Sequence, residues 1–352
     1  MIDAIFACLL FLAPAAIIAA YLHLSPLLVF VLAAIAIIPL AKYIGDATEE
    51  LSIHTTPAVG GLLNATFGNA TELIVSIFAL QAGLVDVAKA SITGAIIGNL
   101  LFVLGTAMFL GGRKRERQEF NATAAKASCS MLLLATIALV IPAFFLGTSG
   151  QGSLPKEMHL SIFVAILMIL AYGANLLFTL HTHKHLYKGE LADEKAIAPH
   201  WNVRTSVVIL LACTIAVAFL SEVLVDAIRP VVAQFGWTEL FIGIIVVAIV
   251  GNVAEHLTAV TAALKNKMDL SISIAIGSAT QIVMFVAPIL VLVSLLFTTH
   301  MDLVFEPFEL VAIIFAVFVT NAVVEDGVST WFEGFQLLIA YVIMAVAFFL
   351  HP

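Results

Sequence analysis

The chain has 352 residues, 62% of them hydrophobic and only 11% charged, with a mean hydropathy of +1.13. A water-soluble domain carries about 25% charged residues, so a soluble enzyme is excluded and no nucleic-acid partner is expected. The chain reads as a polytopic all-α membrane protein. Its formal net charge of −8 says less than where Lys and Arg fall.

A lipid-spanning helix needs about 20 predominantly apolar residues. Taken in chain order, eleven segments qualify: 4–21, 27–53, 60–81, 87–110, 128–146, 159–180, 205–228, 238–263, 269–297, 308–324 and 334–350. Residues 1–21 have no basic n-region, and Asp3 sits where one would be. The segment is therefore expected to be the first span rather than a signal peptide. Span two is long and ends in Gly45-Asp46-Ala47-Thr48-Glu49-Glu50, so it is expected to tilt or to extend beyond the bilayer. Turn and charge signals separate the rest: Pro57, Gly83 to Asp86, Arg229-Pro230, Lys265 to Asp269, and Thr298 to Pro307. The three cysteines, Cys8, Cys129 and Cys213, all lie in apolar stretches and read as small buried hydrophobes.

Loop charges set the orientation. Arg113, Lys114, Arg115, Arg117 and Lys126 follow span four; Lys184, Lys188, Lys195 and Arg204 follow span six; Lys265 and Lys267 follow span eight. With eleven spans these loops share one side and hold 11 of the 15 basic residues. The positive-inside rule makes that side cytoplasmic. The N-terminus is then cytoplasmic and the C-terminus external.

Spans three and eight carry the same motif: Gly68-Asn69-Ala70-Thr71-Glu72 and Gly251-Asn252-Val253-Ala254-Glu255. A carboxylate at the middle of a lipid-spanning helix costs roughly 2.5–3.5 kcal/mol on insertion scales, and such residues are functional by default. Five spans separate the copies, so they cross the bilayer in opposite directions. The match extends onward, because Glu72 to Gly94 and Glu255 to Gly277 are both 22 residues. Spans two and seven both carry acidic residues, Glu49 and Glu50 in one, Glu222 and Asp226 in the other. The expected plan is an unpaired first helix (1–26), a five-helix repeat (27–180), a cytoplasmic connecting loop (181–204) and an inverted second repeat (205–352). Inverted repeats are a common plan of secondary transporters, with the ion site near the midplane where the repeats meet.

Glu72 and Glu255 supply hard anionic oxygens, and Asn69, Asn252, Asn99 and Gln281 supply amide oxygens. Such a set suits Ca²⁺ better than a soft or imidazole-seeking metal. Gly68, Gly94, Gly251 and Gly277 permit close helix approach or a local break. Without a metal, two like charges in a dry site repel and take up protons, so Ca²⁺ and protons compete for the same oxygens. Asn69 and Glu72, three apart, project from one helix face, as do Asn252 and Glu255.

Other polar residues are less determined. His256 points away from Glu255 and is either a proton relay or a packing residue. Asn252-x-x-Glu255-His256 is also a degenerate form of a zinc-hydrolase pattern, lacking its first His. His181-x-His183-x-His185 reads as a solvated membrane-edge cluster or a metal or pH site. Glu49, Glu50, Glu222 and Asp226 are either solvated at span ends or serve gating and proton entry.

GGLLNATFGNATELIVSIFAL, WTELFIGIIVVAIVGNVAEH, GSATQIVMFVAPILV and the closing WFEGFQLLIAYVIMAVAFFL resemble the cation/proton exchanger family, the Ca²⁺/H⁺ antiporters of the Ca²⁺/cation antiporter superfamily. The resemblance covers nearly the whole chain. It implies Glu72 and Glu255 as central Ca²⁺ ligands, with Asn69, Asn99, Asn252, Ser278 and Gln281 lining the site. It also implies that spans two and seven shift between inward- and outward-open states. Ca²⁺ would be the transported substrate, with no cofactor, and a homo-oligomer is compatible with the apolar outer faces. Many members carry an acidic segment between spans six and seven; here Glu190, Asp193 and Glu194 share that loop with four basic residues. The short chain fits a prokaryotic plasma membrane. The expected function is export of cytosolic Ca²⁺ against H⁺. A Na⁺-coupled exchanger, a passive divalent cation channel and an intramembrane hydrolase are the alternatives.

Overall fold

A computed structural model of the chain describes residues 2–149, 154–183 and 199–351. The connecting loop and its acidic residues Glu190, Asp193 and Glu194, together with His185, lie largely outside the described residues. Twelve apolar helices are described. They are α1 (Ile5–Tyr21, with a turn at Leu10-Phe11), α2 (Pro26–Ile53), α3 (Pro57–Phe67), α4 (Ala70–Gln81), α5 (Val85–Gly112) and α6 (Ala122–Thr148). There follow α7 (Lys156–Thr182), α8 (Val203–Phe235), α9 (Glu239–Leu264), α10 (Met268–Ser294), α11 (Pro307–Val323) and α12 (Trp331–Leu350). Eight are long and apolar enough to cross a membrane by themselves.

The helix starts are written locally. Ser25 and Thr56 accept hydrogen bonds from the N–H groups of Leu28 and Val59, with Pro26 and Pro57 in the first turn. These side chains satisfy donors that a helix start leaves free, and proline there sacrifices no bond. Reciprocal capping boxes open α11 (Glu306 with Glu309) and α12 (Thr330 with Glu333). Gly236 ends α8 in the left-handed region at φ +68, a conformation that favours glycine.

Two findings depart from the sequence reading. The segment expected as one helix over 60–81 is broken: α3 stops at Phe67, Gly68 and Asn69 turn, and α4 begins at Ala70. The architecture is also not purely helical. A two-residue strand β1 (Gln118–Glu119) pairs antiparallel with β2 (Val328–Ser329), tying the basic loop after α5 to the loop before α12.

α5 and α10 lie at the centre and are the most buried of the long helices, whereas α7 and α12 show most of their surface. α2 and α8 pack along each other, with α1 against them. α9 crosses α5 with its backbone in contact. A Cβ on Gly94 would overlap the backbone of Ile244, and one on Gly243 would lie 2.8 Å from the carbonyl oxygen of Val87. Small residues let lipid-embedded helices approach this closely. A Cβ on Gly277, the sequence counterpart of Gly94, would meet nothing within 4 Å, and the helix runs unbroken through it, so neither the close approach nor the local break that this glycine permits is made there.

Candidate functional site

In the first half the helix is interrupted at the motif, although Gly68 N still donates to the Asn64 carbonyl at 2.8 Å and Leu73 N to the Asn69 carbonyl at 3.1 Å. Asn69 occupies the position just before α4, with φ −105 and ψ 24, yet its side chain does not cap the helix. It turns across the molecule, and its Nδ2 donates to Gln281 Oε1 at 2.6 Å. Glu72 stands in the first turn of α4 and is buried.

In the second half the motif is continuous helix. Asn252 and Glu255 lie within an unbroken run from Ala248 to Leu264. Asn252 Nδ2 donates to the Ala248 carbonyl at 2.9 Å, leaving its Oδ1 to receive Asn99 Nδ2 at 3.2 Å. Asn99 Nδ2 also reaches Ser278 Oγ at 3.0 Å, and the Ser278 hydroxyl hydrogen-bonds the Glu255 carboxyl group. Each half thus reaches into the other: Asn69 to Gln281, Asn99 to Asn252 and Ser278.

Of the four π-helical segments among the described residues, two lie at matching places beside this centre, Gly98–Val103 within α5 and Ile282–Val286 within α10; the others are Phe178–Thr182 and, ahead of the second motif on α9, Ile242–Val247. Asn99 lies inside the first and Gln281 immediately precedes the second. Such wide turns are rare and frequent at functional sites. They are not legible in the apolar runs GNLLFV and IVMFV.

Glu72 reaches the opposite motif through Gly251. A Cβ on Gly251 would sit 2.8 Å from Glu72 Oε1 and 3.0 Å from its Cδ. The charge of Glu255 also acts on Glu72. Four acceptor oxygens at this centre are buried with no hydrogen-bond donor in the protein: Asn69 Oδ1, Glu72 Oε2, Asn99 Oδ1 and Glu255 Oε2. Buried polar atoms are almost always satisfied, and four unsatisfied acceptors on residues of both halves point to a missing positive partner. Among the described residues no three His, Cys, Asp or Glu side chains converge. The centre offers two carboxylates surrounded by amide and hydroxyl oxygens.

The outlying candidates are dispersed. The His256 ring packs edge-on to Phe102 at 6.0 Å, and Phe102 in turn contacts Tyr341. Glu50 is buried, and its carboxylate accepts the backbone N–H groups of His200 (3.0 Å) and Trp201 (3.2 Å). His54, one turn on, meets the Trp201 carbonyl at 3.0 Å. Glu50 therefore fastens the chain entering α8 to the end of α2 and is not solvated as a span-end residue would be. Glu49, Glu222 and Asp226 are exposed on α2 and α8 and are not drawn into the centre. The patterning does not single out Thr93 and Glu309, which bond across α5 and α11 at 2.8 Å; the only local signal is the Glu306–Glu309 capping pattern.

Comparison with known proteins gives one family. The model of the sodium/calcium exchanger protein family matches residues 25–181 and 205–350. The Ca²⁺/H⁺ antiporter ChaA of Bacillus subtilis (strain 168) is 50% identical over 340 residues, covering 96% of each chain. The Ca²⁺/H⁺ antiporter of Aphanothece halophytica is 44% identical over 363 residues, covering 99% of this chain and 97% of that one. The solved structure of native YfkE superimposes with a TM-score of 0.86 at 46% identity, over 98% of this chain and 100% of that one. The H⁺/Ca²⁺ exchanger CAX shares the fold, with a TM-score of 0.72 at 16% identity over 99% of this chain and 92% of that one. The matched residues fall on both halves of the centre, and the chain belongs to the sodium/calcium exchanger protein family and, within it, to the cation/proton exchangers.

Proposed function

We propose that the chain is a secondary active antiporter that exports cytosolic Ca²⁺ in exchange for H⁺, by alternating access of a midplane site built on Glu72 and Glu255. The observation that carries this reading is the set of four buried acceptor oxygens without donors, on Asn69, Glu72, Asn99 and Glu255. A cation supplies what they lack. Ca²⁺ takes six to eight oxygen ligands at about 2.3–2.6 Å from flexible mixtures of carboxylate and carbonyl groups. Asn252, Ser278 and Gln281 complete the lining. Two protons on the same carboxylates discharge the site equally well, which makes the ions alternatives for one place. The names of the Bacillus and Aphanothece relatives point the same way.

The layout we propose has eleven crossings, with α3 and α4 counted as one broken span. The first crossing (1–26) is unpaired, the repeats are 27–180 and 205–352, and 181–204 connects them. Loop-to-loop hydrogen bonds support the count, because every pair so joined falls on one side under it. Gln118 Nε2 donates to Ala263 O (2.9 Å), Arg115 Nη2 to Leu264 O (3.0 Å), and Trp201 N to Glu50, all on the cytoplasmic side. Arg229 Nη2 donates to Ala82 O (3.2 Å) and Leu303 N to Ser161 Oγ (3.1 Å), both on the outer side. The N-terminus is then cytoplasmic and the C-terminus external, in a prokaryotic plasma membrane. Glu49, Glu222 and Asp226, exposed on the paired helices α2 and α8, are placed to serve ion or proton entry when those helices shift; His256 borders the same centre. The apolar outer faces accommodate lipid or a second copy.

Everted membrane vesicles test the reading. An imposed pH gradient is expected to drive Ca²⁺ uptake above electrochemical equilibrium. Uptake driven by a Na⁺ gradient alone identifies a Na⁺-coupled exchanger instead, and uptake that never exceeds equilibrium identifies a channel.

A further inference from the structure

A second group of buried carboxyl groups lies away from the centre, at the opposite end of α5 from the basic loop. Glu309, in the first turn of α11, is 1% exposed. Its Oε1 accepts from Thr93 Oγ1 at 2.8 Å, and its Oε2 accepts from the Glu306 backbone N–H at 3.0 Å. One turn nearer the outer end of α5, Lys89 pairs with Asp302 and donates to the Val304 carbonyl at 2.7 Å. Glu157, at the start of α7, is 5% exposed and adjoins Asp302, with its Oε2 buried and without a donor. Leu303 N donates to Ser161 Oγ, one turn from Glu157, which holds the Asp302 loop against α7.

Charge balance identifies what the group lacks. The titratable groups facing one another here are Lys89 on α5, Glu157 on α7, Asp302 and Glu306 in the loop before α11, and Glu309 on α11. One ammonium answers one carboxylate, and Asp302 already holds it. Buried charges without partners are costly, so Glu157 and Glu309 each call for a further positive charge. Of these carboxyl groups only Glu157 has a buried oxygen without a donor, far short of the six to eight oxygens that Ca²⁺ takes, whereas a proton needs only one. Ser91, two residues after Lys89 on α5, has its buried hydroxyl 3.1 Å from that of Ser76, which lies one turn beyond Glu72 on α4.

We propose that Glu309 and Glu157 form a second, outer proton-holding station, through which protons pass on their way between the external face and the central carboxylates. The proposal rests on the antiport reading for its purpose, but its first test does not. In a Glu72→Gln/Glu255→Gln background the centre has no ionisable carboxyl group. Acidifying that protein is expected to raise an infrared carboxyl C=O band, part of which is lost when Glu309→Gln is added and part when Glu157→Gln is added. Acidification that gives the same spectrum with and without these substitutions overturns the proposal. Binding of ⁴⁵Ca²⁺ by the double variant that disappears with Glu309→Gln overturns it too, in favour of a divalent-ion site. In reconstituted vesicles, Glu309→Gln and Glu157→Gln are each expected to flatten the dependence of Ca²⁺ flux on outer pH while inner pH is held fixed. Glutamine still accepts from the Glu306 N–H on its one oxygen and can donate from its amide nitrogen to Thr93 Oγ1, so a merely structural Glu309 leaves that profile unchanged. Should Glu309→Gln fail to fold, Glu157→Gln, which lies outside the capping box, decides the matter alone. Failure of wild-type protein to couple Ca²⁺ to a pH gradient removes the antiport reading and leaves the infrared result standing.

Discussion

Glu72 and Gly251 belong to opposite copies of the Gly-Asn-x-x-Glu motif, and the carboxyl group of the first occupies the space that a side chain on the second would fill. A Cβ at position 251 would come within 2.8 Å of Glu72 Oε1. The second motif thus leaves room for the carboxyl group of the first, and the relation is one-sided, since a Cβ on Gly68 would meet Asn64 of its own helix and not Glu255.

Gly251→Ala is expected to leave a folded, inserted protein whose Glu72 carboxylate is displaced. Overpacking of this kind costs about 1–3 kcal/mol. If that cost falls on the ion-bound state, apparent Ca²⁺ affinity drops roughly tenfold, since about 1.4 kcal/mol corresponds to a factor of ten. Ca²⁺ dependence of vesicle flux measures it, and an unchanged affinity places the working position of Glu72 elsewhere.

Glu72→Gln and Glu255→Gln are each expected to abolish exchange while the protein remains inserted and monodisperse. The isostere preserves volume and most hydrogen bonding but removes the charge that balances a divalent ion. Calorimetric Ca²⁺ binding on the purified variants separates lost binding from lost movement. Retained exchange in either variant removes that residue from the site.

How far the sequence determined this picture differs between its parts. Glu72, Glu255, Asn69, Asn99 and Asn252 stand out because a polar group in an apolar run has few cheap explanations, and the structure gathers all five around one centre. The break between Phe67 and Ala70 was legible only as one of two alternatives at Gly68, because Gly68-Asn69 sits inside a run long and apolar enough for one helix. The role of Glu50 was not legible either. Its partners are backbone N–H groups about 150 positions away, and backbone groups leave no trace in residue identity. Thr93 and Glu309 escaped notice for a related reason: a helix-start glutamate is ordinarily only a cap.

Gly94 and Gly277 are equivalent in sequence and are expected to respond oppositely to alanine. At Gly94 the added carbon meets the Ile244 backbone, which cannot swing aside as a side chain can. Gly94→Ala is expected to destabilise by about 1–3 kcal/mol, read as a lower melting temperature in detergent. Gly277→Ala meets nothing within 4 Å and is expected to be neutral or to stabilise by up to about 1 kcal/mol through helix propensity.

Glu50→Ala is expected to loosen the junction between the connecting loop and α8. The substitution strips the acceptor from the His200 and Trp201 N–H groups. His200 is exposed and Trp201 half-buried, so water replaces part of what is lost and the cost is expected to be about 1 kcal/mol, that of an ordinary hydrogen bond. Limited proteolysis in the 199–204 segment is expected to accelerate, and a cleavage pattern identical to wild type shows that the clasp contributes nothing to holding the loop.

The break before α4 has an electrical consequence. A helix start exposes free N–H groups equivalent to about half a positive charge, and Glu72 sits in that first turn with its own backbone N–H directed at its carboxyl group. Glu255 lies mid-helix, where no such pole exists. The two glutamates are the same residue in the same motif, yet one stands on a dipole and the other does not. The two carboxyl groups thus stand in unequal fields, although the motif around them is the same.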